Sequence, residues 1–262
     1  MNGDTPQGAT PTMGPILEEI LRTKSVHTLD GTAALPLKDA IDSETGSLLQ
    51  KLIRQKRPAV TLEIGLAYGV SALFICEALV GVGGRKHIAI DAFQNSVWHG
   101  IGIHHVRAAG FSALVELREQ LSEYALPQLV KEGVTVDFAF IDGSHTFDQK
   151  MIDFFYVDRI LNVGGVIAFD DCNWPSIHQV CRFIATNRPY RVVGATSGAA
   201  PPGIRGRSIR WAVRHSQILR RVVKPQFTAP DEQFGIPPHS RCIAFEKLAD
   251  YTIEPGYTFS EF

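Results

Sequence analysis

Val60-Thr-Leu-Glu-Ile-Gly-Leu-Ala-Tyr-Gly-Val-Ser71 is the stretch that decides the fold. An apolar β-type run carries an acid, Glu63, near its end, and two glycines follow at Gly65 and Gly69. A helical pattern then starts near Val70. A strand, a glycine turn and a helix in this order present free N–H groups to a ligand, because glycine lets the main chain approach closely. The spacing is E-x-G-x-x-x-G, not the G-x-G-x-x-G of dinucleotide-binding turns. An acid before the first glycine repels a pyrophosphate but neutralises a cation.

The same rhythm runs outward from this stretch. Strand-like runs fall at 59–64, 86–91, 113–118, 136–142 and 165–170. Helical patterns fall at 70–80, 97–109, 122–132, 147–161 and 175–187. Upstream, Ile16–Leu21 reads as a short helix, and Asp42 or Ser43 caps a longer one that ends near Arg57, before Pro58. Alternating strands and helices predict an α/β fold with a parallel sheet wound on both faces. Ligands of such sheets lie outside the carboxyl ends of the strands.

Composition narrows the class. The 262 residues suit one α/β domain with decorations, and 45% apolar with 20% charged residues is an ordinary globular balance. A net charge of −1 gives no bias toward nucleic acid or an anionic membrane. No apolar run reaches the roughly 20 residues of a membrane span. The four cysteines (Cys76, Cys172, Cys181 and Cys242) are scattered, which fits reduced thiols in a cytoplasmic protein. The polar N-terminus lacks the regions of a signal peptide and is expected to be a disordered tail over 1–13.

The strand ends are rich in acids. Glu63, Asp91, Asp142 and the pair Asp170-Asp171 close four of the five runs. The cation that Glu63 suggests is the sulfonium or ammonium end of S-adenosylmethionine. Asp91, at the tip of the expected neighbouring strand, is placed to accept both hydroxyls of a ribose. Asp142, Asp170 and Asp171 would repel one another on adjacent tips without cationic partners. A divalent cation resolves that repulsion, and an all-oxygen set favours Mg²⁺, Mn²⁺ or Ca²⁺ over zinc. His145 follows Asp142 by one glycine turn, and imidazole is the side chain most often used as a general base, so it is the candidate general base.

Four ordered segments carry a resemblance. They are Leu62–Ala72, Ile88–Gln94, Phe140–His145 and Leu161–Asp171. Together they resemble the class I S-adenosylmethionine-dependent methyltransferases, and within them the metal-dependent small-molecule O-methyltransferases of catechol, caffeoyl-CoA and macrolide-sugar type. The resemblance implies a Rossmann-like, doubly wound, seven-stranded sheet, mostly parallel, with an antiparallel closing strand over 241–247. It implies that Glu63, Gly65 and Gly69 lie against the methionine part of the cofactor, and that Tyr68 and Ser71 also bind the cofactor. Asp91 would hold the ribose, Gln120 and Ser122 would lie beside the adenine, and Ala92, Phe93 and Asp142 would touch the cofactor as well. Asp142, Asp170 and Asp171 would hold Mg²⁺ or another divalent cation, and Asp142 and His145 would serve catalysis. Asp171 stands where catechol-type members carry Asn, and His145 where they carry Lys; both weaken a catechol assignment.

The reaction so implied is methyl transfer from S-adenosylmethionine to a hydroxyl of a small molecule. The alternatives are a metal-independent methyltransferase with His145 as base, and a cofactor-binding protein without turnover. The expected organisation is a helical cap over 14–58, a cofactor-binding core over 59–194, an insertion over 195–240 and a closing segment over 241–262. The insertion reads as a Gly/Pro-rich loop to Gly206 and a basic helix over 207–223. A homo-oligomer is open; a nucleic-acid partner is not expected.

Overall fold

The computed structural model describes residues 13–198, 231–254 and 256–260. The tail expected before Met13, the basic helix expected over 207–223 and most of the loop expected before it lie outside the described residues.

The chain opens with α1 (Pro15–Thr23), a small antiparallel hairpin of β1 (Ser25–His27) and β2 (Ala34–Pro36), and α2 (Ser43–Lys56). Asp42 caps α2 by accepting the Thr45 N–H at 2.8 Å, and Arg57 ends it in the left-handed region just before Pro58. The hairpin was not expected: its three-residue strands are too short to show a period.

The core alternates as the sequence reading expects. It runs β3 (Val60–Ile64), α3 (Val70–Gly81), β4 (Lys86–Ile90), α4 (Ile101–Ala108), β5 (Val115–Arg118), α5 (Ser122–Lys131), β6 (Val136–Ile141), α6 (Phe147–Ile160), β7 (Leu161–Phe169), α7 (Pro175–Asn187), β8 (Tyr190–Ala195) and β9 (Ile243–Lys247). Seven strands form one sheet in the order β5-β4-β3-β6-β7-β9-β8. The pairs from β5 through β7 are parallel, and β9 lies antiparallel between β7 and β8. This is a Rossmann-like doubly wound sheet with an antiparallel closing strand.

Strand periodicity divides the core into two layers. Leu62, Ile64, Ala139, Ile141, Ile167 and Phe169 face α5, α6 and α7. Phe138, Phe140, Val166 and Ala168 face α1, α2 and α3. Successive side chains of a strand point to opposite faces, so strands buried on both sides read as continuous apolar runs. The helix α3 is apolar nearly all round because it is enclosed by the sheet and by α1 and α2. From β3 the chain steps outward to β4 and β5, then returns to place β6 on the other flank of β3. That reversal opens a crevice above the carboxyl ends of β3 and β6.

Candidate active site

A cavity of about 810 Å³ occupies this crevice, within the range of roughly 300–1,000 Å³ usual for small-molecule sites. Gly65, Asp91, Ala92, Phe93, Gln120, Ser122, Asp142, His145 and Asp171 all line it. A smaller recess of about 30 Å³ beside it is lined by Gly65, Tyr68, Ser71 and Asp142. The crevice therefore gathers most of the residues expected from the sequence.

Gly65 makes the crevice possible. Its φ of 95° is outside the range of ordinary side chains, and a Cβ there would stand 2.3 Å from the carbonyl oxygen of Asp142. The first turn thus presses against the tip of β6. Gly69 serves another end. Its φ is 82°, it lines neither cavity, and a Cβ would meet the Gly102 carbonyl of α4 at 2.8 Å. Gly69 thus lets α3 and α4 pack closely.

Glu63 is engaged inside the fold. It shares a face with Thr61, turned away from the crevice, and lines neither cavity. Its fully buried carboxylate accepts the Ser71 hydroxyl at 2.7 Å and lies 3.0 Å from His87 Nε2. His87 Nδ1 continues the chain to Thr61 Oγ1 at 2.9 Å. Glu63 therefore anchors Ser71, which lines the small recess.

Asp91 lies at the tip of β4, as expected, and is nearly buried. Its Oδ2 accepts the N–H groups of Leu66 and Ala67 at 3.0 and 2.8 Å and Gln94 Nε2 at 3.1 Å. Oδ1 accepts the Phe93 N–H at 2.8 Å. The acid thus pins the first turn to the second strand while lining the cavity. On the far wall, Gln149 Nε2 donates to Ser122 Oγ at 3.0 Å, and Glu119 accepts two bonds from Asn95, closing the Gln120–Ser122 loop onto the Asp91 loop.

The acids at the tips of β6 and β7 do not gather as the sequence alone implies. Ligand-competent atoms of Asp142, His145 and Asp171 lie within 4.8 Å of one another. Asp170 is outside that group among the described residues. Its Oδ2 accepts Arg241 Nη2 and Nε at 2.9 and 3.2 Å, and its buried Oδ1 has no hydrogen-bond partner. Lys150, fully buried on α6, donates to the Ile141 carbonyl at 2.9 Å behind Asp142. The acids therefore have cationic neighbours, contrary to expectation. They still repel: burial, and then the Asp170 carboxylate, push Asp142 well above the usual carboxylate range. Burial also raises Asp170, against the opposing pull of Arg241. Asp171 is the exception, held low chiefly by its hydrogen bond with His145.

His145 Nε2 is 2.7 Å from Asp171 Oδ2, and its ring packs against Trp174 at 5.3 Å between centroids. Asp171 adopts a left-handed backbone, φ 57°, which turns its carboxylate back toward His145. Trp98 also lines the cavity, edge-on to Tyr68 at 5.0 Å. Of the paired histidines, His104 is exposed and His105 is buried against the Tyr68 carbonyl. Sequence reasoning missed Arg241, Trp174 and Gln149, and also Asp39 and Ala40, which bring the N-terminal cap to the cavity wall. Their only signal lies in distant elements that fold back on the strand tips.

Comparison with known proteins agrees with this geometry. Residues 62–172 match the family described as a methyltransferase domain. Caffeoyl-CoA O-methyltransferase of Stellaria longipes is 24% identical over 165 residues, 60% of this chain and 61% of the relative. Catechol O-methyltransferase of Bos taurus is 24% identical over 154 residues, 57% of this chain and 54% of the relative. Over these segments the chain is similar to class I S-adenosylmethionine-dependent O-methyltransferases. It spans little more than half the length of these curated relatives. The O-methyltransferase TomG of Streptomyces achromogenes, solved in complex with SAM, shares the fold of this chain with a TM-score of 0.60 at 15% identity, over 92% of both chains. No helix among the described residues is long and apolar enough to cross a membrane.

Proposed function

We propose that the chain transfers the methyl group of S-adenosylmethionine to a hydroxyl oxygen of a small molecule, with a divalent cation at the acidic end of the cavity. The observation that carries this reading is that the Asp142–His145–Asp171 cluster lines the same cavity as Asp91 and the turn beside it. The donors fit a hard cation. Asp142 and Asp171 of the cluster, with Asp170 next to them in the chain, offer three carboxylates; burial and like-charged neighbours raise Asp142 and Asp170, and Asp170 carries a buried oxygen without a partner. Asp142, Asp170 and Asp171 would hold the ion, which when bound supplies Lewis acidity toward an acceptor hydroxyl.

The chain's own residues do the rest. Gly65, Asp91, Ala92, Phe93, Gln120 and Ser122 form the wall that would take the cofactor, and Tyr68 and Ser71 line the recess for its tail. Trp98 and Trp174 wall the cavity against water. Fixing donor and acceptor in line lowers the barrier by up to roughly 7–11 kcal/mol in favourable cases. His145, oriented through Nε2 by Asp171, is the group placed to take the hydroxyl proton as the methyl passes to oxygen. A small hydroxylated metabolite is the acceptor class this arrangement suits.

Labelled methyl donor and a library of hydroxylated metabolites identify the acceptor. Single-turnover transfer is then measured before and after rigorous chelation and in His145→Ala. Chelation is expected to abolish transfer. The substitution is expected to slow it by roughly 10²–10⁴-fold, as for a lost general base. Full activity after chelation removes the cation from the mechanism and leaves His145 as the sole activating group.

A further inference from the structure

We propose that Arg241 is the positioning residue of the cation site: it holds Asp170 by Oδ2 so that Oδ1 is left for a divalent ion. The inference rests on the cation reading above.

Four observations carry it. First, both guanidinium bonds to Asp170 fall on one oxygen, Oδ2, at 2.9 and 3.2 Å. Second, the other oxygen, Oδ1, is buried and has no hydrogen-bond partner, although the residue is 0% exposed. A carboxylate in such a place is left half-satisfied unless something else binds it. Third, Arg241 is itself held from several sides. Its Nη2 donates to the Ala40 carbonyl at 3.3 Å, Nη1 lies 3.5 Å from Asp42 Oδ2, and its N–H donates to Thr196 Oγ1 at 3.1 Å. Fourth, its carbonyl accepts the Cys172 N–H at 2.7 Å, so its backbone fixes the same strand tip that its side chain orients.

Carboxylates that bind metals are oriented by outer hydrogen bonds, and losing such a partner typically costs 10–100-fold in metal affinity. Arg241 fits that part. It also makes the site depend on two distant segments, the loop before α2 and the entry to β9. Lysine cannot replace the fork, because a single ammonium cannot place two fixed N–H bonds on one oxygen.

The test is calorimetric titration of the full chain with Mn²⁺, on wild type, Arg241→Met, Arg241→Lys and Asp42→Asn, each checked for folding by its melting curve. Arg241→Met is expected to weaken Mn²⁺ binding roughly 10–100-fold. Arg241→Lys is expected to fall between it and wild type. Asp42→Asn keeps the cap of α2 but loses one of the contacts that hold the guanidinium, so it should weaken Mn²⁺ binding less than Arg241→Met does. Equal or tighter binding by Arg241→Met overturns the proposal, because Arg241 would then be a bystander or a competitor for Asp170. Wild-type affinity in Arg241→Lys overturns it too, by showing that charge alone suffices. No Mn²⁺ binding by wild-type protein that still binds S-adenosylmethionine removes the cation site altogether, a failure distinct from the other two.

Discussion

Replacing Asp142 by Asn should stabilise the metal-free protein. Ligand-competent oxygens of Asp142 and Asp171 lie within 4.8 Å. With an effective dielectric constant of about 20, two full charges at that separation repel by about 3.5 kcal/mol. Asp170 adds to the repulsion, while His145, Lys150 and Arg241 offset part of it. The strain has a ceiling. Taking up a proton at neutrality costs a carboxylate with an ordinary value of 3.8 about 4 kcal/mol, at 1.36 kcal/mol per pH unit, and the site protonates before it stores more. After the offsets, a net gain of about 1–2 kcal/mol is expected, a rise in Tm of about 2–8 °C for a chain of this size. The pH dependence has a definite sign. Asp142 has a raised value in the folded state, so the folded protein binds more protons than the unfolded one. Stability of the metal-free wild type from this group therefore rises as pH falls below neutrality, and Asp142→Asn loses that slope. Added Mn²⁺ should reverse the order of the two proteins, since a ligand at 100 times its Kd stabilises the state it binds by about 2.7 kcal/mol. Differential scanning calorimetry over pH with chelator, then with Mn²⁺, measures all of this. An Asn variant that melts below wild type across the pH range in chelator would refute the like-charge reasoning.

Two further outcomes follow from the first turn. Gly65→Ala forces a side chain onto a φ of 95° and a Cβ within 2.3 Å of a backbone oxygen, so denaturant titration should show a loss above about 3 kcal/mol or no folded protein. Glu63→Gln leaves one acceptor where Ser71 and His87 now use two, which should cost about 1–3 kcal/mol of stability. Calorimetry should find S-adenosylmethionine affinity changed less than twofold in that variant, since Glu63 lines neither cavity; a tenfold loss would put its carboxylate on the cofactor.

The strand tips were the legible part of this chain. Apolar runs ending in Asp91, Asp142 and Asp170 mark both the sheet and the mouth of its crevice, because strands buried on both faces have no other way to end than in polar turn residues. The direction of Glu63 was not legible. It shares a face with Thr61, and the partner that draws it inward, His87, comes from the next strand, 24 residues on. Arg241 was hidden for the same reason, being 71 residues from Asp170. The strand β8 has no clean alternation, since four of its six residues are half-buried near the open edge of the sheet. The seventh strand is therefore implied by the resemblance and not visible as a run of its own.

The left-handed backbone of Asp171 limits what evolution can try at that position. Among residues with a side-chain carbonyl or carboxylate oxygen, Asn and Asp tolerate this conformation best, because their short side chains bond locally. Glutamate and glutamine keep the oxygen but fit the backbone poorly. Asp and Asn thus form a two-position dial, interchangeable in shape and differing by one unit of charge. Drift along that dial resets the charge facing the crevice while the strand tip keeps its course.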